Sequence, residues 1–325
     1  MLVISDIYND NLKLSNILVV GDIIYDKYIF GDAKKLSPEA PVPIFSPHSS
    51  EFRLGGAANV FNNIISLGAN AYLCGIIGND NEGANIKQKI FELNNSSDNI
   101  IVNNERITTV KTRLLVGNHH LLRIDEETTE EIDAETEFRV FNAINEKIDL
   151  FDLVIISDYN KGFLKNSIIR KVIDLFNKSN KKVIIDPKSD FYKYSDAFLI
   201  KPNINELSQF VNDNSVHNNL FSLTHHCKNV LNKGNFKYIY VTMGAKGGVL
   251  VEKEKEAQII PAIGGEAVDI TGAGDVTLAA IAVAIAAKAD IIKAVNFASC
   301  AAGISISKAG TATVEKSEVV SFFHK

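Results

Sequence analysis

The chain has 325 residues, 46% of them hydrophobic and 22% charged, with a formal net charge of -5. That length can bury a large α/β domain or two of ordinary size, and the composition is that of a soluble globular protein. The acidic balance excludes general electrostatic binding to nucleic acid but leaves room for a local basic pocket.

Cys74, Cys227 and Cys300 are too few and too scattered for a disulfide framework or a zinc site, which suits a reducing, cytoplasmic setting. The stretch 1–15 has no basic segment leading into an apolar one, so it reads as an extension ahead of a domain over 16–325, with no secretion signal. The most apolar run, 281–287, is too short to span a bilayer, and no membrane partner is expected.

Residues 17–20 form a β-rich run that reaches Gly21 and Asp22 and continues apolar to Asp26, the first strand of an α/β sheet. Ligands of such sheets bind beyond the carboxyl ends of strands, where Asp22 and Asp26 fall. Residues 34–47 carry Pro38, Pro41, Pro43 and Pro47 and are expected to be extended, as an edge strand or a lid. The small-residue turn Gly55-Gly56-Ala57-Ala58-Asn59 opens a helix over 57–67 that Gly68 stops.

A strand over 71–77, a helix over 81–93 and an exposed Asn-rich connection over 94–104 follow. Runs 108–116 and 119–124 flank Gly117-Asn118 as a hairpin that could pair with the Pro-rich segment. Beyond it, helices over 138–147, 165–177, 204–211 and 220–231 alternate with strands over 153–157, 182–185, 197–200, 238–242 and 248–251. Such alternation means a mostly parallel sheet with helices on both faces. The Lys/Glu patch at 252–256 reads as a solvated hairpin tip.

Asp269-Ile270-Thr271-Gly272-Ala273-Gly274-Asp275 opens an apolar run over 276–288 that reads as a buried helix. Three small residues let the backbone approach a ligand, and the first amides of a helix lack intrahelical partners, so an anion can rest there. Asp275 falls in the first turn. It either caps the helix or deprotonates a phosphoryl acceptor held beside the amides. Gly55-Gly56-Ala57 lacks the GxGxxG spacing of a dinucleotide-binding dehydrogenase.

The Gly55 to Asn59 turn and the Asp269 to Asp275 stretch, in this order, resemble the two signatures of the ribokinase or PfkB family of sugar kinases, over residues 17–317. Ile270 departs from the Thr, Ser, Val or Pro usual in that family. Within it the chain is most similar to the kinases of D-glycero-β-D-manno-heptose 7-phosphate. The likeness is carried by Ser37-Pro38-Glu39-Ala40-Pro41-Val42-Pro43, Leu122-Arg123-Ile124-Asp125, Ser157-Asp158-Tyr159 with Lys161-Gly162, and Ile185-Asp186-Pro187-Lys188.

The resemblance implies a ribokinase-like three-layer α/β/α sandwich with a mostly parallel central sheet and a small β-sheet lid, about 27–53 and 108–124. It implies an ATP- and Mg²⁺-dependent kinase acting on the C1 hydroxyl of the heptose phosphate in lipopolysaccharide-core synthesis, and a homodimer joined through the lid. Another sugar kinase of the family, ribokinase- or fructokinase-like, is the alternative. A non-catalytic sugar sensor fits poorly with an intact Asp275 loop. Such heptose kinases are often fused to an adenylyltransferase, and the length here leads to the expectation of a stand-alone kinase.

Residue by residue, the resemblance makes Asp275 the base and gives the amides of Gly272, Ala273 and Gly274 the transferred phosphoryl group. Asp22, Asp26, Gly55, Gly56 and Asn59 become sugar-side residues. Arg123, Asp158, Lys161 and Lys188, with Arg113, are candidates for holding the phosphosugar. Asn203-Ile204-Asn205-Glu206 resembles an Asn-x-x-Glu motif that organises Mg²⁺ through water, and it also spells a helix capping box. Thr242, Gly244, Gly247 and Asn296 are assigned to the nucleotide, and Asp269 to a monovalent cation such as K⁺. His119-His120 and His225-His226 lack a third metal ligand and are expected at the surface or lid.

Overall fold

The computed structural model describes residues 4–94, 99–117, 119–264 and 267–323. Residues 1–3, 95–98 and Asn118, on which parts of the expected extension, Asn-rich connection and hairpin turn rest, lie outside these. The strands are β1 Asn16–Gly21, β2 Ile23–Leu36, β3 Pro43–Gly56, β4 Asn70–Gly78, β5 Ile100–Asn103, β6 Thr109–Val116 and β7 His119–Glu126. They continue as β8 Leu153–Ser157, β9 Lys182–Asp186, β10 Leu199–Ile200, β11 Tyr238–Thr242, β12 Gly248–Glu252 and β13 Gln258–Ile260. The helices are α1 Asp10–Leu14, α2 Ala57–Ser66, α3 Asn81–Asn94, α4 Ala134–Asn145, α5 Asn166–Lys178, α6 Ile204–Val211, α7 Leu220–Gly234, α8 Ala273–Ala286, α9 Ile291–Ser305 and α10 Lys316–Phe323.

Nine strands form the large sheet, in the order β13-β12-β11-β10-β9-β8-β1-β4-β5. Those from β11 to β5 run parallel, and β12 and β13 close one edge as antiparallel strands. The strand residues are apolar without alternation because both faces are covered. On β1, Ile17 and Val19 enter a core shared with α2, α8 and α9, while Leu18 and Val20 enter a second core shared with α4, α5 and α7. This is a three-layer α/β/α sandwich.

From Asp275 onward helix α8 lies inside: every residue to Ala286 is buried. Packing therefore fixes it, since truncating a single buried Leu or Ile costs about 2–5 kcal/mol. It begins at Ala273 and ends at Ala286, two residues short of the expected end, where Lys288 takes a left-handed φ of 68°.

The smaller sheet has the order β3-β2-β6-β7. Two expectations are corrected here. Residues 23–26 do not prolong the first strand: at Asp22 the chain leaves the large sheet, and β2 starts the small one. The 108–124 hairpin pairs with β2 upstream of the prolines, β6 running parallel to it from Ile24↔Thr109 to Gly31↔Val116. β3 folds back antiparallel on the other side of β2 and carries Pro43 and Pro47 to an outer edge, where a missing N–H breaks no ladder. Strand β5, inside the Asn-rich connection, had no periodicity to announce it.

Candidate functional site

The parallel strands point their carboxyl ends to one side, and the order reverses between β1 and β8, which opens a crevice between their ends. Over it lies a cleft of about 1070 Å³. Asp26, Lys111, Arg113 and Arg123 of the smaller sheet line one wall; the loop and first turn of α8, the β10–α6 turn and the β11–β12 turn line the other.

Gly272 caps α8 at φ 80°, a conformation that favours glycine, and a Cβ there would stand 3.0 Å from Asn59 Nδ2. Because Gly272 occupies the cap position, the Asp275 carboxylate is not used for capping. Its Oδ2 accepts from Asn59 Nδ2 at 2.8 Å and its Oδ1 from the Tyr159 hydroxyl at 2.7 Å. Burial pushes Asp275 up to about 7; the Tyr159 and Asn59 hydrogen bonds and the Lys201 charge restrain the rise, and Asp186 adds to it. A carboxyl so tuned changes charge near neutral pH, as a general base does.

Ala273 is corrected. Its amide donates to the Ile270 carbonyl at 3.2 Å, so among the described residues the unengaged amides of this turn are those of Gly272, Gly274 and Asp275. Beside them is Lys201, just past β10 and 3% exposed, whose ammonium lies 2.9 Å from Asp186. Burial works against that ammonium and the Asp186 carboxylate more than offsets it, so the lysine stays charged. Its Nζ is 3.8 Å from where a Cβ on Gly274 would be. Open amides and a fixed cation together stabilise charge developing on a transferred anionic group.

Asp22, expected on the sugar side, is 3% exposed and not among the residues lining the cleft; it accepts from the amides of Tyr159 at 2.8 Å and Lys161 at 3.3 Å, and burial pushes it up to about 7. Asp26 pairs with Arg113 and rests on Gly55, where a Cβ would meet its Oδ2 at 2.4 Å. Gly56, at φ 58°, turns β3 into α2 and lines the cleft.

Several expected ligands are otherwise engaged. Asn59 is held between Asp275 and Asn63, whose Nδ2 lies 3.1 Å from its Oδ1, so it supports the carboxylate instead of facing the cleft. Lys161 bonds Glu127 at 2.7 Å away from the cleft wall. Asp158 touches the cleft, but its carboxylate is spent on Lys193, the Tyr194 hydroxyl and the Asn160 amide, each at 2.6 Å. Asn296 turns its amide to the Ile292 carbonyl at 2.8 Å, and Ser299, Ala302 and Gly303, further along α9, with Ile306 just past its end, meet the cleft in its place.

Asn203 and Glu206 form a full capping box on α6, with both bonds at 2.9 Å, while the second Glu206 oxygen takes Lys188 Nζ at 3.2 Å. Both line the cleft with Ile204, Asn205, Lys188, Thr242, Gly244 and Gly247. Asp269 accepts from Thr271 at 2.8 Å and Gly310 at 2.9 Å and so ties the α8 loop to the segment after α9. Among the described residues no three His, Cys, Asp or Glu side chains cluster as metal ligands.

Sequence reasoning passed over Tyr159, Lys201 and Asp186 as site residues. Asp186 ends a parallel strand, Lys201 immediately follows one and Tyr159 stands two residues beyond one, close to the position that had marked Asp22, so that signal was available for them too.

The family model of pfkB family carbohydrate kinases matches residues 14–318. The Bifunctional protein HldE of Helicobacter acinonychis (strain Sheeba) is 38% identical over 316 residues, covering 94% of this chain and 66% of that protein. The Bifunctional protein HldE of Sulfurimonas denitrificans is 36% identical over 304 residues, with 93% and 63% covered. The chain thus spans less than two thirds of the length of these curated relatives. Among solved structures, Arabidopsis thaliana ribokinase complexed with ribose and ATP superposes with a TM-score of 0.76 at 19% identity, covering 96% of this chain and 99% of that one. Phosphofructokinase-2 from Escherichia coli gives 0.78 at 17%, with 95% and 98% covered. The structural likenesses establish the ribokinase-like fold, and with a family match over nearly its whole length this chain belongs to the pfkB family of carbohydrate kinases.

Proposed function

We propose that this carbohydrate kinase transfers the γ-phosphoryl group of ATP to the C1 hydroxyl of D-glycero-β-D-manno-heptose 7-phosphate, giving the 1,7-bisphosphate for lipopolysaccharide-core assembly in the cytoplasm. The observation that carries the transfer step is the Asp275 carboxylate facing the cleft beside open amides and Lys201. Asp275 takes the proton of the C1 hydroxyl. The freed oxygen attacks the γ-phosphorus as the bond to the bridging oxygen breaks, and ADP leaves with its electron pair. The amides of Gly272, Gly274 and Asp275, with Lys201, hold the charge on the moving group.

The heptose phosphate is favoured by the 36–38% identity to HldE proteins and by Lys111, Arg113 and Arg123 on the small-sheet wall of the cleft. Glu206 and Asn203 fit a Mg²⁺ ion held through its waters, since both sit on the cleft with oxygens that accept hydrogen bonds. The ion would supply charge neutralisation on the nucleotide phosphates. Asp269, bridging two segments beside the α8 loop, fits a K⁺ ligand that stiffens it.

The smaller sheet acts as a lid. Its exposed Leu36, Ile44, Leu122 and Ile124 support pairing with a second copy. Among the described residues no helix is long and apolar enough to cross a membrane. The test is a coupled ADP-release assay with the heptose 7-phosphate against ribose and fructose 6-phosphate, the product position being fixed by phosphorus NMR. Preference for either competitor overturns the acceptor assignment.

A further inference from the structure

Tyr159, which lines the cleft, joins two buried carboxylates, Asp275 on the cleft and Asp22 behind its wall. Its amide donates to Asp22 Oδ2 at 2.8 Å and its hydroxyl donates to Asp275 Oδ1 at 2.7 Å. The residue is half-buried on the cleft wall and its own pKa lies well above the usual tyrosine value, desolvation and the Asp275 charge both raising it, so it remains a donor throughout the working pH range. The second carboxylate oxygen is fixed from a different element, α2, by Asn59, itself braced by Asn63. Two donors on two oxygens fix the carboxylate's rotation, and each oxygen keeps a lone pair for a sugar hydroxyl. The other charges around this group are Lys201 with Asp186 beneath the α8 turn and Asp26 with Arg113 across the cleft.

We propose that Tyr159 is a positioning residue: its hydroxyl holds Asp275 aimed at the cleft and ionised, while its main chain holds Asp22, so that one residue sets the spacing between the acceptor's site and its base. This rests on the reading of Asp275 as the base. A hydrogen bond to the charged form favours that form, so removing the hydroxyl while keeping the ring leaves a base that stays protonated to higher pH.

The test is Tyr159→Phe, assayed with ATP and the heptose 7-phosphate from about pH 6 to about pH 9. Turnover at neutral pH is expected to fall about tenfold with KM within about threefold, and the acid limb of the profile to move alkaline by about one unit. Most of the rate returns at the alkaline end. Thermal midpoints of wild type, Tyr159→Phe, Asp275→Asn and the double variant supply a readout that needs no turnover. Asp275 has a raised folded pKa, so its stability contribution is lost as pH rises towards that value, and the loss extends further in Tyr159→Phe. The gap between wild type and Tyr159→Phe should therefore widen above about pH 7, while the corresponding gap in the Asp275→Asn background stays flat. An unmoved acid limb, or a gap of the same size and pH dependence in both backgrounds, overturns the proposal. If wild type phosphorylates no sugar, the functional reading fails, and the thermal cycle still decides whether Tyr159 sets the state of Asp275.

Discussion

Around α8 the polar groups are buried and committed: Asp275 to Tyr159 and Asn59, Asn59 to Asn63, Lys201 to Asp186. Across the cleft, by contrast, every residue of β7 is exposed, and Arg123, with its side chain 57% exposed, bonds, among the described residues, Asp125 two positions along the same strand. The first arrangement makes geometry costly to disturb, since each buried polar group that loses a partner costs about 1–3 kcal/mol. The second is cheap to rearrange, because exposed ion pairs are worth only about 0–1 kcal/mol. The candidate machinery is thus held by the interior, while on the proposed reading the exposed β7 wall can re-pair with a substrate phosphate at little cost.

The strongest way to break this contrast is Asp275→Asn. Turnover should fall by about 10²- to 10⁴-fold, measured by ADP release, and retention of more than about a tenth of the rate would falsify the base role. The fold should survive. Asp275 is raised from 3.8 to about 7, so the wild type loses stability as pH climbs between those values, and the variant should melt higher by a few degrees at about pH 8 but not near pH 4. Wild-type kcat should likewise decline as pH drops below about 7, where Asp275 takes up its proton.

Gly272→Ala comes next. A side chain at φ 80°, 3.0 Å from Asn59, should cost about 1–3 kcal/mol by chemical denaturation and about tenfold or more in kcat. On the other wall, Arg123→Ala should raise KM for the heptose 7-phosphate by about tenfold, leave kcat within about twofold and shift stability by less than about 0.5 kcal/mol. An equal KM change with an unphosphorylated sugar would mean that Arg123 does not meet the phosphate. The smallest effect expected is Glu206→Gln, about 1 kcal/mol or less in stability, since glutamine can keep the capping bond, with a higher Mg²⁺ requirement in titrations of activity. An unchanged Mg²⁺ requirement would leave Glu206 with the cap alone.

Most of the large sheet was legible because its strands are short apolar runs between helices of clear periodicity, and because Gly272 and Asp275 stand at a helix start. The small sheet was less legible. Nothing in the run from Ile17 to Asp26 marks the change of sheet at Asp22, since the apolar pattern passes through it unbroken. Partner choice within the small sheet is a long-range matter, and the prolines indicated extension without saying which strand lay beside them. At the site, residue type identified Asp275, but chemistry alone could not tell a substrate ligand from a brace: Asn59, Asp158 and Lys161 are polar residues next to the cleft whose hydrogen-bonding capacity the protein itself takes up.

Asp22 alone separates β1 from β2, and β3 passes straight from Gly56 into α2 at Ala57. Any attempt to redirect the enzyme by transplanting another kinase's small sheet would, if cut at the sheet boundary, sever Asp22 from the turn whose Ala57 amide it accepts at 2.9 Å. The facing pair Lys27 and Phe52 offers a better graft point. Joined there, a chimaera keeps Asp22, Asp26, Arg53 and the whole Gly55 to Asn59 turn in their native frame and exchanges only the outer ribbon.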